Sequence, residues 1–200
     1  MDQKKIGKFI AESKKAKQLE KQSNPLGDLA VLLYNKIKEE TMSLQKAKEH
    51  LKKYGLEDRI KKFDVSSATV LEAANAIGCE EKNIVKTLSF LVGEQLILIA
   101  VSGNAKIDNH KFKTEFNTKA KMIPFDQVEP LIGHAVGGVC PFGVNENVNV
   151  YLDNSLKSLD ILYPAAGTSN SAVKLTLEEL EQASNYKKWI DVCKEEENSK

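Results

Sequence analysis

The spacing of apolar residues changes character about a quarter of the way along this chain. Before that point it is helical. Ile6, Phe9, Ile10 and Ala16 share one face over residues 3–22, and lysines cover the rest. Ser23-Asn24-Pro25-Leu26-Gly27 predicts a break. Leu29, Leu32, Leu33 and Ile37 predict a second amphipathic helix, with Asp28 near its start. A third is expected over residues 43–53, with Ser43 as N-cap and Gly55 as the C′ glycine.

Beyond residue 60 short runs replace long faces. Residues 60–65 read as a strand. An alanine-rich helix over 70–77 follows and stops at Gly78. Two β-rich segments, 84–90 and 95–101, flank Gly93-Glu94 and predict a hairpin. Helices are expected at 110–116 and 125–131, and a short strand at 120–123. Residues 147–152 alternate as a strand, and 159–163 and 173–175 read as strands too. Thr176 caps a last helix over 177–183, with Glu179 at the capping-box position. Strands and helices mix without strict βαβ alternation. That predicts an α+β fold with a mixed or antiparallel sheet and flanking helices over residues 42–192. A helical, lysine-rich extension (1–41) precedes it and a charged tail (193–200) follows.

Composition narrows the function classes. Apolar residues make up 42% of the chain, enough for a core, and the net charge of +1 is not that of a strongly basic nucleic-acid binder. The charge is uneven: residues 1–41 carry nine lysines against six acids, and the remainder is slightly acidic. Cys79, Cys140 and Cys193 are widely spaced with no C-x-x-C, so neither a zinc site nor a disulfide framework is expected. Free thiols fit a reducing compartment. The first residues lack the apolar core of a signal peptide, and the most apolar run, 96–101, is too short to span a bilayer. These features predict a cytoplasmic protein with no membrane partner, no metal and no cofactor.

The chemistry concentrates in two segments. Residues 133–143 read Gly-His-Ala-Val-Gly-Gly-Val-Cys-Pro-Phe-Gly, with four of the chain's eleven glycines. Glycine clusters where backbone turns sharply or approaches a ligand. Upstream, Ile84-Val85-Lys86-Thr87-Leu88 sets one cation in an apolar strand. Together they suit a small site for an anionic or carbonyl-bearing ligand. There is no nucleophile-elbow G-x-S-x-G and no cluster with metal-ligand spacing.

These segments come in a fixed order: Ala73-Ala74 with Gly78, Ile84 to Leu88, Val101-Ser102-Gly103-Asn104 with Ile107-Asp108, Gly133-His134 to Gly143, and Val150-Tyr151-Leu152-Asp153. The ordered set resembles the YbaK/EbsC, or prolyl-tRNA-synthetase-associated, family of aminoacyl-tRNA deacylases over residues 42–192. The resemblance implies a sheet-rich α+β fold and trans-editing: hydrolysis of the ester of mischarged aminoacyl-tRNA, often tRNA for proline. It implies aminoacylated tRNA as partner, with prolyl-tRNA synthetase as a second candidate. It places Lys86, Gly137 and Gly138 in catalytic roles, and Thr87, His134, Val139, Pro141 and Tyr163 against the substrate. Thr87 follows the lysine as in the cysteine-clearing branch, whereas alanine-clearing relatives carry asparagine. Residues 162–170 lack the histidine that some branches supply there, so the amino acid cleared stays open.

Each of these residues has a plainer reading. Lys86 can snorkel from an edge strand. Gly137-Gly138 can be a strand bend rather than oxyanion-binding N–H groups, with Pro141 holding it rigid. Cys140 has no partnered base nearby and reads as a small packed residue. His134 reads as a pocket wall or a proton carrier, His50 and His110 as surface, and Asp153 as a turn cap. The N-terminal stretch 3–12 resembles the first helix of Cro/repressor-type helix-turn-helix domains, but no recognition helix follows, so duplex DNA is not an expected partner. Two alternatives to the hydrolase stay open: a non-catalytic module that binds aminoacyl-tRNA or regulates through a partner, and a helix-turn-helix regulator.

Overall fold

A computed structural model describes residues 25–64 and 69–194. The chain separates into two units, Met1–Glu39 and Glu40–Lys200, and the elements below that build the site lie in the second. The helix expected over 3–22 and most of the charged tail lie outside the described residues.

The first helix corrects the expected division between the second and third helices. Helix α1 (Pro25–Lys52) is continuous where two helices were expected. Proline is tolerated at a first helical position, where its missing N–H has no partner to lose. No breaker stands between Ile37 and Ser43, and the Lys38-Glu39-Glu40 run favours helix. Ser43 is therefore a buried mid-helix residue, not an N-cap. With Ala47 and Leu51 it forms a buried stripe over the last turns of the helix, one residue every four. The helix closes as expected at Gly55 (φ +68°). Gly55 N–H donates to Lys52 O and Leu56 N–H to Leu51 O, satisfying two terminal carbonyls.

The remaining elements follow in chain order: β1 (Ile60–Lys62), α2 (Val70–Ile77), β2 (Ile84–Val92), β3 (Gln95–Ser102), α3 (Asn109–Phe116), α4 (Phe125–Ile132), β4 (Val148–Asp153), β5 (Ile161–Pro164), β6 (Ser171–Val173), β7 (Leu175–Thr176), α5 (Leu177–Ser184) and β8 (Trp189–Ile190). Six strands form one mixed sheet in the order β7-β5-β2-β3-β4-β8. β2 and β3 are the predicted antiparallel hairpin, with Val92 opposite Gln95 across the Gly93-Glu94 turn. β4 runs parallel to β3, and β5 parallel to β2. β1 pairs with β6 in a separate ribbon. The expected strand at 173–175 is split between two sheets at Lys174, and β8 was not predicted. Pieces of two or three residues carry too little alternation to read.

Capping explains the short helices. Thr69 and Glu72 form a reciprocal capping box on α2, and Thr176 and Glu179 form one on α5. Both Asp108 N-cap bonds go to the start of α3.

β3 is buried from Leu96 to Ser102, so its alternate residues feed two cores. Ile97, Ile99 and Val101 pack with Phe90, Phe112 and Val192 on one face. On the other, Leu96 and Leu98 pack with Ile123, Val128 and Ile132, and Ala100 packs with Ala47, Leu51 and Phe142. The glycine loop and α1 cover the second face.

Candidate functional site

The site forms where the outer edge of β2 loses its neighbour. β3 pairs with β2 along its whole length. On the opposite edge β5 covers only Ile84 and Val85. Farther on, Leu91 N–H donates to Lys121 O, and Ser89 O accepts from Ile123 N–H. The segment expected as a strand at 120–123 is thus a short patch on this edge. Between the two covers lies a cavity of about 530 Å³, in the usual range for small-molecule sites. Val85, Lys86, Thr87, Leu88 and Ser89 all line it. Strand side chains alternate between faces, so five consecutive lining residues mean that the cavity meets the strand edge-on. Val70, Ala73 and Ile77 of α2, Met122, Phe125 and Tyr163 form apolar walls, and Val136, Gly137 and Val139 close the far side. No carboxylate is among the described lining residues.

Lys86 extends from the face shared with Phe90. Its Nζ donates to Ala105 O at 2.6 Å, and burial lowers its pKa below the ordinary lysine value. A half-buried ammonium with one of three protons engaged keeps two for a ligand. Beneath it lies Cys193, whose thiol is pushed up to about 12, first by burial and then by the Asp153 charge. Asp153 is buried, as a cap: it accepts from Ser155 N–H at 2.9 Å and Val192 N–H at 2.8 Å. This docks the segment after β8 under the lysine.

Thr87 stands on the other face. Its Oγ1 is buried without a hydrogen-bond partner.

The glycine loop is tied at both ends. Gly133 (φ +97°) caps α4 and its N–H donates to Glu129 O. Asn145 returns to the helix end, its N–H to Ile132 O and its Nδ2 to Leu131 O at 3.0 Å. The two central glycines differ. Gly137 (φ +89°) lines the cavity. Gly138 does not, and its N–H already donates to Ala135 O at 3.0 Å. A Cβ there would lie 2.5 Å from the Gly167 carbonyl and Thr168 N, so Gly138 serves a backbone-to-backbone contact. Gly167 in turn presses on Ser43 O of α1, where a Cβ would lie at 2.4 Å. The loop is thus stacked on the first helix through glycines.

His134 and Pro141, expected against the substrate, are buried and do not line the cavity. Cys140 N–H donates to His134 Nδ1 at 3.4 Å, which leaves the ring proton on Nε2, an atom without a partner. Burial lowers the His134 pKa to about 4, so the ring is neutral at pH 7. Burial also raises the Cys140 thiol to about 12, which removes any thiolate. His50, expected at the surface, is half-buried; its Nε2 lies 2.7 Å from Ala183 O. Among the described residues no group of His, Cys, Asp and Glu is arranged to hold a metal ion.

The structure therefore brings Lys86, Thr87, Gly137, Val139 and Tyr163 to one cavity and leaves Gly138, His134 and Pro141 behind its wall. The sequence reading missed the walls from α2, and Met122 and Phe125. It also missed Gly167, whose Ala-Ala-Gly-Thr setting was the available signal.

The family model for the aminoacyl-tRNA editing domain matches residues 65–183, a span that contains the cavity. The chain belongs to this family. It is 46% identical over 155 residues to the uncharacterized protein YwhH of Bacillus subtilis (strain 168), covering 77% of this chain and 99% of that one. It is 26% identical over 140 residues to the proline–tRNA ligase of Staphylococcus aureus (strain JH1); the match covers 68% of this chain and spans 24% of the ligase. Among solved structures it is similar to a candidate trans-editing enzyme for prolyl tRNA synthetase, with TM-score 0.70 and 28% identity over 76% of this chain and 98% of that one. The α+β architecture is that of these editing domains. α1 and the Cys193 segment, which brace the loop and the lysine, lie outside the matched span.

Proposed function

We propose that this protein hydrolyses the ester of mischarged aminoacyl-tRNA in trans, with tRNA for proline as the carrier. The observation that supports it best is the cavity itself: an apolar chamber at a strand edge, entered by one cation and one left-handed glycine, without a carboxylate or thiolate. The aminoacyl ester is already activated, so positioning and N–H dipoles supply what a slower substrate would need from a triad. Water adds to the ester carbonyl carbon and gives up a proton as it does so. The Gly137 N–H faces the developing oxyanion. The carbon–oxygen bond to the ribose then breaks, and the ribose oxygen leaves with a proton. Lys86 holds the substrate against the strand edge. Gly138, His134 and Pro141 keep the loop in shape rather than touch the substrate.

The candidate partners are aminoacylated tRNA and prolyl-tRNA synthetase, and no cofactor is required. No helix among the described residues is long and apolar enough to cross a membrane. The reading places the protein in the cytoplasm, with translation. A panel of tRNAs charged with alanine, serine, cysteine or proline tests it. Accelerated hydrolysis of at least one mismatched species on tRNA for proline, with prolyl-tRNA spared, is expected. A protein that binds these tRNAs and cleaves none is a non-catalytic module.

A further inference from the structure

Thr87 occupies a special place on the β2 edge. Leu91 and Ser89 direct their backbone groups to the 121–123 segment, so the odd-numbered residues of β2 face away from β3. Val85 faces the same way and is paired with β5. Thr87 is the odd residue between them, and no strand among the described residues lies opposite it on this edge. Its N–H and C=O therefore open on the cavity, one residue of sheet edge in a mostly apolar chamber. An open edge is a template for pairing, and half-buried backbone groups are costly unless something pairs with them.

We propose that Thr87 recognises the aminoacyl group as if it were the next strand: a one-residue β-bridge to the free α-ammonium and carbonyl of the substrate. The proposal rests on the reading of this cavity as an aminoacyl-ester site. An amino acid esterified through its carboxyl still carries the two groups that a β-residue offers. Its α-ammonium donates to Thr87 O, and its carbonyl oxygen accepts from Thr87 N–H. The ammonium has a second proton for Thr87 Oγ1, the buried hydroxyl without a partner. The lining supports this assignment, because among the described residues it offers the ammonium no carboxylate. A cation there depends on neutral acceptors, and Thr87 places two on one residue. Recognition by main chain reads the amino acid's backbone and leaves its side chain to the apolar walls.

The test uses two stable amides in place of the ester: 3′-alanylamino-3′-deoxyadenosine, and the 3′-propionylamino analogue, which lacks only the α-ammonium. Residue-resolved ¹H–¹⁵N NMR of the full chain follows both, with adenosine as reference. The alanyl compound is expected to shift the Thr87 amide downfield and slow its hydrogen exchange. It should also bind about tenfold or more tighter than the propionyl compound, the scale of a hydrogen bond to a charged group. Thr87→Val should lower alanyl binding several-fold and leave propionyl binding unchanged; a purely structural role would move both. Equal binding of the two amides overturns the bridge, as does an unmoved Thr87 amide at saturation, or a shift reproduced by adenosine alone. Absence of binding by either amide overturns it as well. Deacylation that persists beside any of these results leaves the hydrolase reading standing, and its absence removes both.

Discussion

His134 shows how little a residue's identity says about its work. It stands at the head of the glycine segment, where a proton carrier would be useful, yet it is buried behind the cavity wall with its pKa lowered to about 4. Its folded value lies below the ordinary 6.5, so the unfolded chain takes up the proton first as pH falls. The contribution to stability is complete above about pH 6.5 and is lost progressively toward pH 4, by up to about 3 kcal/mol. His134→Phe keeps a ring in the space and removes the titration. Urea unfolding at pH 7 and pH 5 should show a smaller loss in the variant than in the wild type; equal losses would mean that the histidine is not buried neutral. Lys86 stood out in the sequence as a lone cation in an apolar strand, but that setting alone fits a snorkelling side chain, and only the family resemblance gave it a role. The burial of His134 and Pro141 was not legible, because it depends on where α1 and β5 come to rest.

At the scale of elements, caps and the hairpin were readable and contacts between loops were not. The Thr176–Glu179 box, Gly55 and the Gly93 turn are local chemistry, and each stands where the pattern put it. α1 was misread because Ser43 looks like an N-cap, although no breaker separates it from Ile37 and it continues the helix. The Gly138–Gly167 contact joins segments nearly thirty residues apart and leaves no local trace. It yields a contrast between neighbouring glycines. Gly138→Ala should cost about 1–3 kcal/mol of stability, because its Cβ would meet backbone that cannot step aside. Gly137→Ala, at a left-handed φ that favours glycine, should cost about 1 kcal/mol and act mainly on kcat. Thermal unfolding beside single-turnover rates separates them; a larger stability loss at Gly137 would reverse their roles.

For the molecule as a whole, the class of fold was legible and the sheet order was not. Mixed elements without strict alternation give α+β, but the parallel pairings of β2 with β5 and of β3 with β4 arise from long connections that the pattern cannot specify. The cavity exists because β5 and the 121–123 segment stop short of each other, a property of topology alone. Among the described side chains of α1 the buried ones, Ser43, Ala47 and Leu51, all lie beyond residue 41, so deletion of residues 1–41 should leave a folded and active domain. The deleted segment carries a surplus of three lysines. Its loss should weaken tRNA binding at low salt and matter less as salt rises. A truncated protein that is folded but inert would show that the extension helps build the site.

The most direct test of the account is single-turnover hydrolysis of mischarged tRNA for proline by wild type and Lys86→Ala, with circular dichroism of both. The account predicts hydrolysis well above the spontaneous rate for the wild type and a loss of at least about 100-fold in the variant, on the scale of removing a contact to a charged transition state. The two spectra should superimpose. Wild-type rates in Lys86→Ala, or spontaneous rates in both proteins, would contradict it.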